Sequence, residues 1–154
     1  MTTFFLHGLD SSGKGTKGRY FANRFPQVQC PDFSGSLRER LDQLAVLCGV
    51  ENDLTFIGSS FGGLMATAYA CSSPHRVKQL VLLAPALNFE FTPPETKIDV
   101  PTLLVVGDKD DVCPPALVLP AAESTFRNLE IEVVDDDHML HGTFQKIDWQ
   151  KYIG

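Results

Sequence analysis

The stretch Leu54-Thr55-Phe56-Ile57-Gly58-Ser59-Ser60-Phe61-Gly62-Gly63 is an apolar run that ends in a glycine-flanked serine. It opens onto Leu64-Met65-Ala66-Thr67-Ala68-Tyr69-Ala70-Cys71. The first part has the length and composition of a buried strand; the last, small or apolar nearly all round, has those of a buried helix. Between them Gly58, Ser60 and Gly62 meet the G-x-S-x-G spacing. Where a strand turns sharply into a helix, side chains flanking the serine would clash, so glycine is needed at 58 and 62. Such a turn holds the Ser60 hydroxyl clear of the sheet at a helix N-terminus, which makes Ser60 the candidate nucleophile. The spacing alone arises often by chance, whereas in this strand–turn–helix context it is specific.

Working outward, short apolar runs alternate with longer mixed segments. Strands are predicted at Phe4–Leu6, Val28–Cys30, Leu54–Ile57, Leu80–Leu83, Leu103–Val106 and Ile131–Val134, with helices near 16–24, 36–48, 62–72, 115–125 and 144–152. Several runs are apolar throughout, as in a parallel sheet covered by helices on both faces. In the second helix Leu37, Leu41, Leu44, Val46 and Leu47 carry the apolar period, and Gly49 is placed to cap its C-terminus. The alternation predicts an α/β fold: an open sheet of about six parallel strands. There is no repeat, low-complexity tract or linker, so residues 1–154 are expected to form one domain. The segment Pro85–Pro101 is the one loop of unusual composition.

Composition removes several function classes. The chain has 154 residues, 44% of them apolar and 21% charged, as in ordinary globular proteins. A formal charge of −6, with scattered basic residues, argues against binding to nucleic acid. No apolar stretch has the length to span a bilayer, and Met1–Gly8 has neither the basic nor the apolar region of a signal peptide. Cys30, Cys48, Cys71 and Cys113 are far apart, without a Cys-x-x-Cys pair or a histidine at ligand spacing. No metal is therefore expected. Four free thiols fit a reducing cytoplasm.

In an open α/β sheet, ligands bind beyond the carboxyl ends of the strands. A serine there needs a base to take its proton and an acid to orient that base. After Leu103–Val106 comes Gly107-Asp108-Lys109-Asp110-Asp111-Val112-Cys113-Pro114, and after Ile131–Val134 comes Asp135-Asp136-Asp137-His138-Met139-Leu140-His141. Asp108, Asp110 and Asp111 are thus candidate acids, and His138 and His141 candidate bases.

Over nearly its whole length the chain resembles the α/β-hydrolase superfamily. The resemblance rests on the serine turn, the early His7-Gly8, the Gly-x-x-Asp-x-x-x-Pro pattern at Gly107, Asp110 and Pro114, and Asp137-His138 followed by apolar residues. It implies Asp110 as the acid and His138 as the base, and a reduced sheet with helices on both faces. It also implies an oxyanion hole formed by the backbone N–H of Phe61 and of Leu9, with His7 bracing the Leu9 loop. The run His7-Gly8-Leu9-Asp10-Ser11-Ser12 resembles the small YqiA-like esterases in particular. The expected activity is cleavage of a small-molecule ester or thioester, or of an acyl group linked to a protein, through an acyl-enzyme and without a cofactor. A base that acts as neutral imidazole implies a rate that falls on the acid side of neutrality. Many relatives carry a helical cap where this chain has only Pro85–Pro101; no cap domain and an open cleft are therefore expected, with Phe89 and Phe91 lining its acyl side.

Two other readings compete. Gly8-Leu9-Asp10-Ser11-Ser12-Gly13-Lys14-Gly15-Thr16 meets the G-x-x-x-x-G-K spacing of a phosphate-binding loop, the mark of a nucleotide kinase. The arginines form no phosphate-gripping motif, however, and a kinase would leave Ser60, Asp110 and His138 unexplained. The other is a catalytically inactive binding module on the same fold.

Overall fold

The computed structural model describes residues 1–153. Six strands, β1 (Thr2–Leu6), β2 (Val28–Gln29), β3 (Leu54–Ser59), β4 (Val77–Leu83), β5 (Thr102–Gly107) and β6 (Leu129–Val134), form one sheet in the order β2-β1-β3-β4-β5-β6. Every adjacent pair is parallel. The helices are α1 (Thr16–Arg24), α2 (Leu37–Cys48), α3 (Phe61–Ser72), α4 (Pro115–Thr125) and α5 (Gln150–Ile153), with short 3₁₀ turns at Pro74–Arg76 and Phe144–Lys146.

The central strands are largely apolar because each face feeds a separate core. Phe56, Leu80 and Leu82 join Leu44, Leu64, Met65 and Val118 beneath α2, α3 and α4. Ile57, Val81 and Leu83 point the other way, toward Phe21, Phe144, Trp149 and Ile153. At the sheet edge β6 has only one flank to bury, and its exposed Glu130 and Glu132 leave that edge charged.

Helix α2 starts in a capping box, in which the Ser36 hydroxyl accepts from the Glu39 amide and the Glu39 carboxylate from the Ser36 amide. It ends at Gly49, whose amide donates to the Ala45 carbonyl. Its apolar period differs from expectation. Val46 and Leu47 are 81% and 45% exposed, and the inward face runs through Leu37, Arg40, Leu41, Leu44 and Cys48. At 3.6 residues per turn Val46 lies opposite Leu44, so hydrophobicity alone did not define the buried side.

The helix expected at 144–152 is broken. Ile147 is extended, between the turn at Phe144–Lys146 and α5. The Phe144 carbonyl, which a continuous helix would give to the amide four residues on, instead accepts from the Trp149 indole N–H at 3.0 Å. Trp149 thereby enters an aromatic cluster with Phe21 and Phe144. Between β4 and β5, residues 84–101 add no domain; Ala86, Leu87, Ile98 and Val100 fold the segment back onto the core. No helix of the described residues is long and apolar enough to cross a membrane.

Phe21 is fully buried at the centre of that aromatic cluster. Phe21→Ala is expected to cost about 3–5 kcal/mol of stability, read from urea unfolding followed by fluorescence of the single tryptophan.

Candidate active site

The turn after β3 has the geometry its glycines imply. Ser60 sits at φ 55° and ψ −115°, a region that side-chain-bearing residues rarely enter. Its amide donates to the Leu83 carbonyl at 2.9 Å, and its own carbonyl accepts from the amides of Gly63 and Ala86, both at 2.9 Å. A Cβ at residue 62 would fall 1.9 Å from the Leu6 carbonyl oxygen, and one at residue 58 would fall 2.4 Å from the Gly62 carbonyl oxygen. Ser60 is therefore held on a strained corner at the N-terminus of α3.

The loops after β5 and β6 bring Asp110 and His138 to it. Asp110 is only 4% exposed. Its Oδ1 accepts from the amides of Val112 (2.9 Å) and Cys113 (2.7 Å), which fixes the carboxylate within its own loop. Its Oδ2 lies 2.7 Å from His138 Nδ1. A carboxylate can only accept, so Nδ1 carries the proton and donates it. His138 Nε2 then turns its lone pair to the Ser60 hydroxyl, 3.0 Å away. The alternatives lie elsewhere: Asp108 and Asp111 are exposed, and His141 pairs with Asp137 at the surface. Cys113 also borders the site, but burial, with the Asp110 charge adding to it, pushes its thiol up to about 11. It remains a neutral thiol at physiological pH.

The loop after β1 runs beside the serine, and a side chain on Gly8 would begin 3.6 Å from Ser60 Cβ. As the first residue of α3, Phe61 has no intrahelical acceptor for its amide. Neither that amide nor the one of Leu9 donates elsewhere among the described residues. His7 is buried; its Nε2 accepts from the Phe33 amide at 2.8 Å, so the proton is on Nδ1, which donates to the Gly8 carbonyl at 2.6 Å. With both nitrogens engaged, His7 braces the loop.

Sequence reasoning missed Arg40. On the inward face of α2 it is only 4% exposed. Its Nε donates to the Gly35 carbonyl, its Nη2 to the Leu9 carbonyl at 3.4 Å, and the guanidinium lies over the Phe61 ring at 5.2 Å. Nη1 is buried without a partner among the described residues. Burial lowers the Arg40 pKa, and the charge of Asp10 acts to raise it. The available signal was a cation on the inward stripe of an amphipathic helix, between Leu37 and Leu44.

A cavity of about 590 Å³ opens over Ser60 and His138, bordered by Leu9, Phe61, Phe89 and Lys17. Phe89 faces it and meets the Phe61 ring edge-on at 5.8 Å. Phe91 does not: it packs against the core under α2, α3 and α4. Between the two, Glu90 at φ 45° turns the chain, so their side chains diverge. The segment resembling a phosphate loop is closed to that use. The Gly13 amide already donates to the Asp32 carboxylate at 2.7 Å, and Lys14 is exposed, away from the cavity.

Comparisons with known proteins agree with this architecture. The family model described as alpha/beta hydrolase fold matches residues 26–97. No curated protein sequence matches. Among solved structures, an esterase from Exiguobacterium antarcticum superposes with a TM-score of 0.79 at 15% identity, over 99% of this chain and 91% of that one. A protein of the α/β hydrolase superfamily from Xanthomonas campestris pv. campestris gives 0.78 at 24%, over 95% and 93%. A YdeN-like protein from Pectobacterium atrosepticum gives 0.78 at 19%, over 99% and 90%. The strand order, the serine turn and these matches together show that the chain has the α/β-hydrolase fold.

Proposed function

We propose that the protein is a serine hydrolase that cleaves carboxylic ester or thioester bonds through Ser60, His138 and Asp110. The observation that carries this reading is the unbroken relay from a buried carboxylate to imidazole to hydroxyl, with links of 2.7 and 3.0 Å. A binding module has no need of a strained serine aligned with a base; the reading is therefore active chemistry over an inactive fold.

In the first step His138 Nε2 removes the Ser60 proton as Oγ attacks the acyl carbon. Asp110 stabilises the imidazolium that forms. The amides of Leu9 and Phe61 donate to the oxygen that becomes negatively charged, and collapse of the tetrahedral species passes the His138 proton to the leaving oxygen or sulfur. Water, deprotonated by the same imidazole, then attacks the acyl-Ser60 ester and releases the acid. No step calls for a metal or an organic cofactor. Arg40 acts as a positioning residue, because one guanidinium touches both residues that supply the oxyanion donors.

The cleft lacks a cap, which suits a short acyl group on an exposed leaving group, including one carried by a protein; Phe89 borders the acyl side. Four free cysteines fit action in a reducing cytoplasm.

Two experiments test the reading. Nitrophenyl acetate should be hydrolysed and Ser60 labelled by a fluorophosphonate. Ser60→Ala should lower turnover by about 10⁴-fold or more and abolish labelling. A wild-type protein that neither turns over the ester nor takes the label would sink the proposal. For Arg40→Met, kcat should fall about tenfold with little change in KM, since the transition-state oxyanion loses its aligned donors while ground-state contacts remain. Arg40→Lys should recover part of the loss, and equal changes in kcat and KM in both variants would refute the positioning role.

A further inference from the structure

The cavity over Ser60 has two unlike sides. Toward the loops that follow β4 and β5 its walls are Ala86, Phe89, Val112 and Cys113, with Asn88 tied down by its amide, which donates to the Val112 carbonyl at 3.0 Å. Toward the loop after β1 and the start of α1 they are Leu9 and the polar Asp10, Ser11, Thr16 and Lys17. Lys17 is the one lysine or arginine among the described residues that line it.

Lys17 is half-buried, and its Nζ donates to the Met139 carbonyl at 2.8 Å. Among the described residues no carboxylate forms an ion pair with it. The acids whose charges reach it are already engaged. Asp136 accepts from the amides of Gly142 and Thr143 and from the Thr143 hydroxyl, and Asp137 from the Met139 amide and His141. The Asp10 charge acts on Arg40. Burial lowers the Lys17 pKa, against the pull of Asp137 and Asp136. The ammonium lies over the Phe144 ring at 5.4 Å; it has lost part of its water without gaining a counter-ion among the described residues, and two of its three protons are not used by Met139.

The position of Lys17 relative to the base determines which part of a substrate meets it. In acyl transfer the leaving atom must end within reach of the group that protonates it. In the function proposed above that group is His138 Nε2, and the carbonyl held by Lys17 belongs to the next residue. Lys17 and His138 line the same cavity, so a leaving-group arm that passes His138 on this side would meet Lys17, and the acyl arm would be left with the wall formed by Ala86, Phe89, Val112 and Cys113.

We infer that the protein prefers esters or thioesters in which the leaving alcohol or thiol carries an anionic group, a carboxylate or a phosphate, received by Lys17, with a small apolar acyl group on the other side. The inference rests on the proposed hydrolase function and specifies its substrate. Hydrolysis adds water across the acyl bond and releases the carboxylic acid and the anionic alcohol or thiol. The protein carries a net charge of −6, so any preference for an anion must arise locally.

The test compares para-carboxymethylphenyl butyrate with its neutral amide, para-carbamoylmethylphenyl butyrate. The two share an acyl group and have similar leaving-group acidity. At about 0.15 M salt, where long-range fields are screened, kcat/KM for the acid should exceed that for the amide by about tenfold, the size expected of a partly exposed charge-assisted contact. The ratio should fall to about one in Lys17→Met, persist in Lys17→Arg and invert in Lys17→Glu. Any loss caused by releasing the Met139 carbonyl affects both esters and cancels in the ratio. The para-phosphonomethyl ester, run alongside, distinguishes phosphate from carboxylate, and a raised ratio with either anion supports the inference. A wild-type ratio near one, or a ratio unchanged in Lys17→Met, overturns it, while turnover of the amide keeps the hydrolase reading. Failure of the wild type to hydrolyse any of the three overturns both.

Discussion

The Leu6 carbonyl oxygen lies 1.9 Å from where a Cβ on residue 62 would sit, and the arrangement of the site follows from that contact between the end of β1 and the start of α3. With glycine there, α3 can begin directly against the sheet. Ser60 is then forced to positive φ, at a cost of about 1–3 kcal/mol. Its amide and carbonyl offset that strain with bonds to Leu83, Gly63 and Ala86, which join the turn to β4 and to the loop beyond it. The same close approach carries the loop after β1 past the serine, and the Leu9 and Phe61 amides have no partner among the described residues.

The proposed base and acid are held by a different device. Each Asp110 oxygen has its own task, Oδ1 closing its loop onto two amides and Oδ2 receiving the imidazole N–H. The carboxylate cannot rotate toward solvent without abandoning all three bonds. On the His138 side, Asp136 gathers Gly142 and Thr143, and buried Leu140 and Phe144 anchor the segment in the second core. The broken helix at 144–152 belongs to this anchoring. By placing Trp149 against Phe21 and Phe144, it fixes the far end of the loop that carries His138.

Much of this was legible in the sequence, and the exceptions share a cause. The central strands were found because a strand covered on both faces is apolar at most positions, a signal that needs no tertiary knowledge, and the edge strands β2 and β6 from the shorter apolar pieces around Val28 and Ile131. Helix α1 was found within its observed bounds, and Asp110 and His138 were picked out by a resemblance in pattern, which chose among neighbours that composition could not separate. The failures came wherever tertiary contact overruled a local pattern. Val46 and Leu47 are apolar yet point outward, and Arg40 is charged yet points in. Phe89 and Phe91 are two residues apart with equal claims on the cavity, and a single left-handed residue at Glu90 separates their fates. Ile147 interrupts a helix because an indole N–H takes the carbonyl that the helix would have used.

Arg40 and Lys17 show what a small hydrolase fold requires when no cap domain clamps its loops. A buried guanidinium with one donor unpaired is an expensive choice for a helix face, and an apolar side chain of similar size would often be as stable there. What an apolar residue cannot do is donate. Arg40 holds the Leu9 carbonyl from beneath α2, and Lys17 holds the Met139 carbonyl from α1. Each long cation therefore tethers one of the loops that flank Ser60, the proposed oxyanion loop in one case and the His138 loop in the other. Their difference lies in what remains after the tether is made. Arg40 is closed in by Phe61 and lies outside the cavity lining, so its charge can act only through the groups it positions. Lys17 borders the cavity with protons to spare, so the same tethering residue can also meet a substrate.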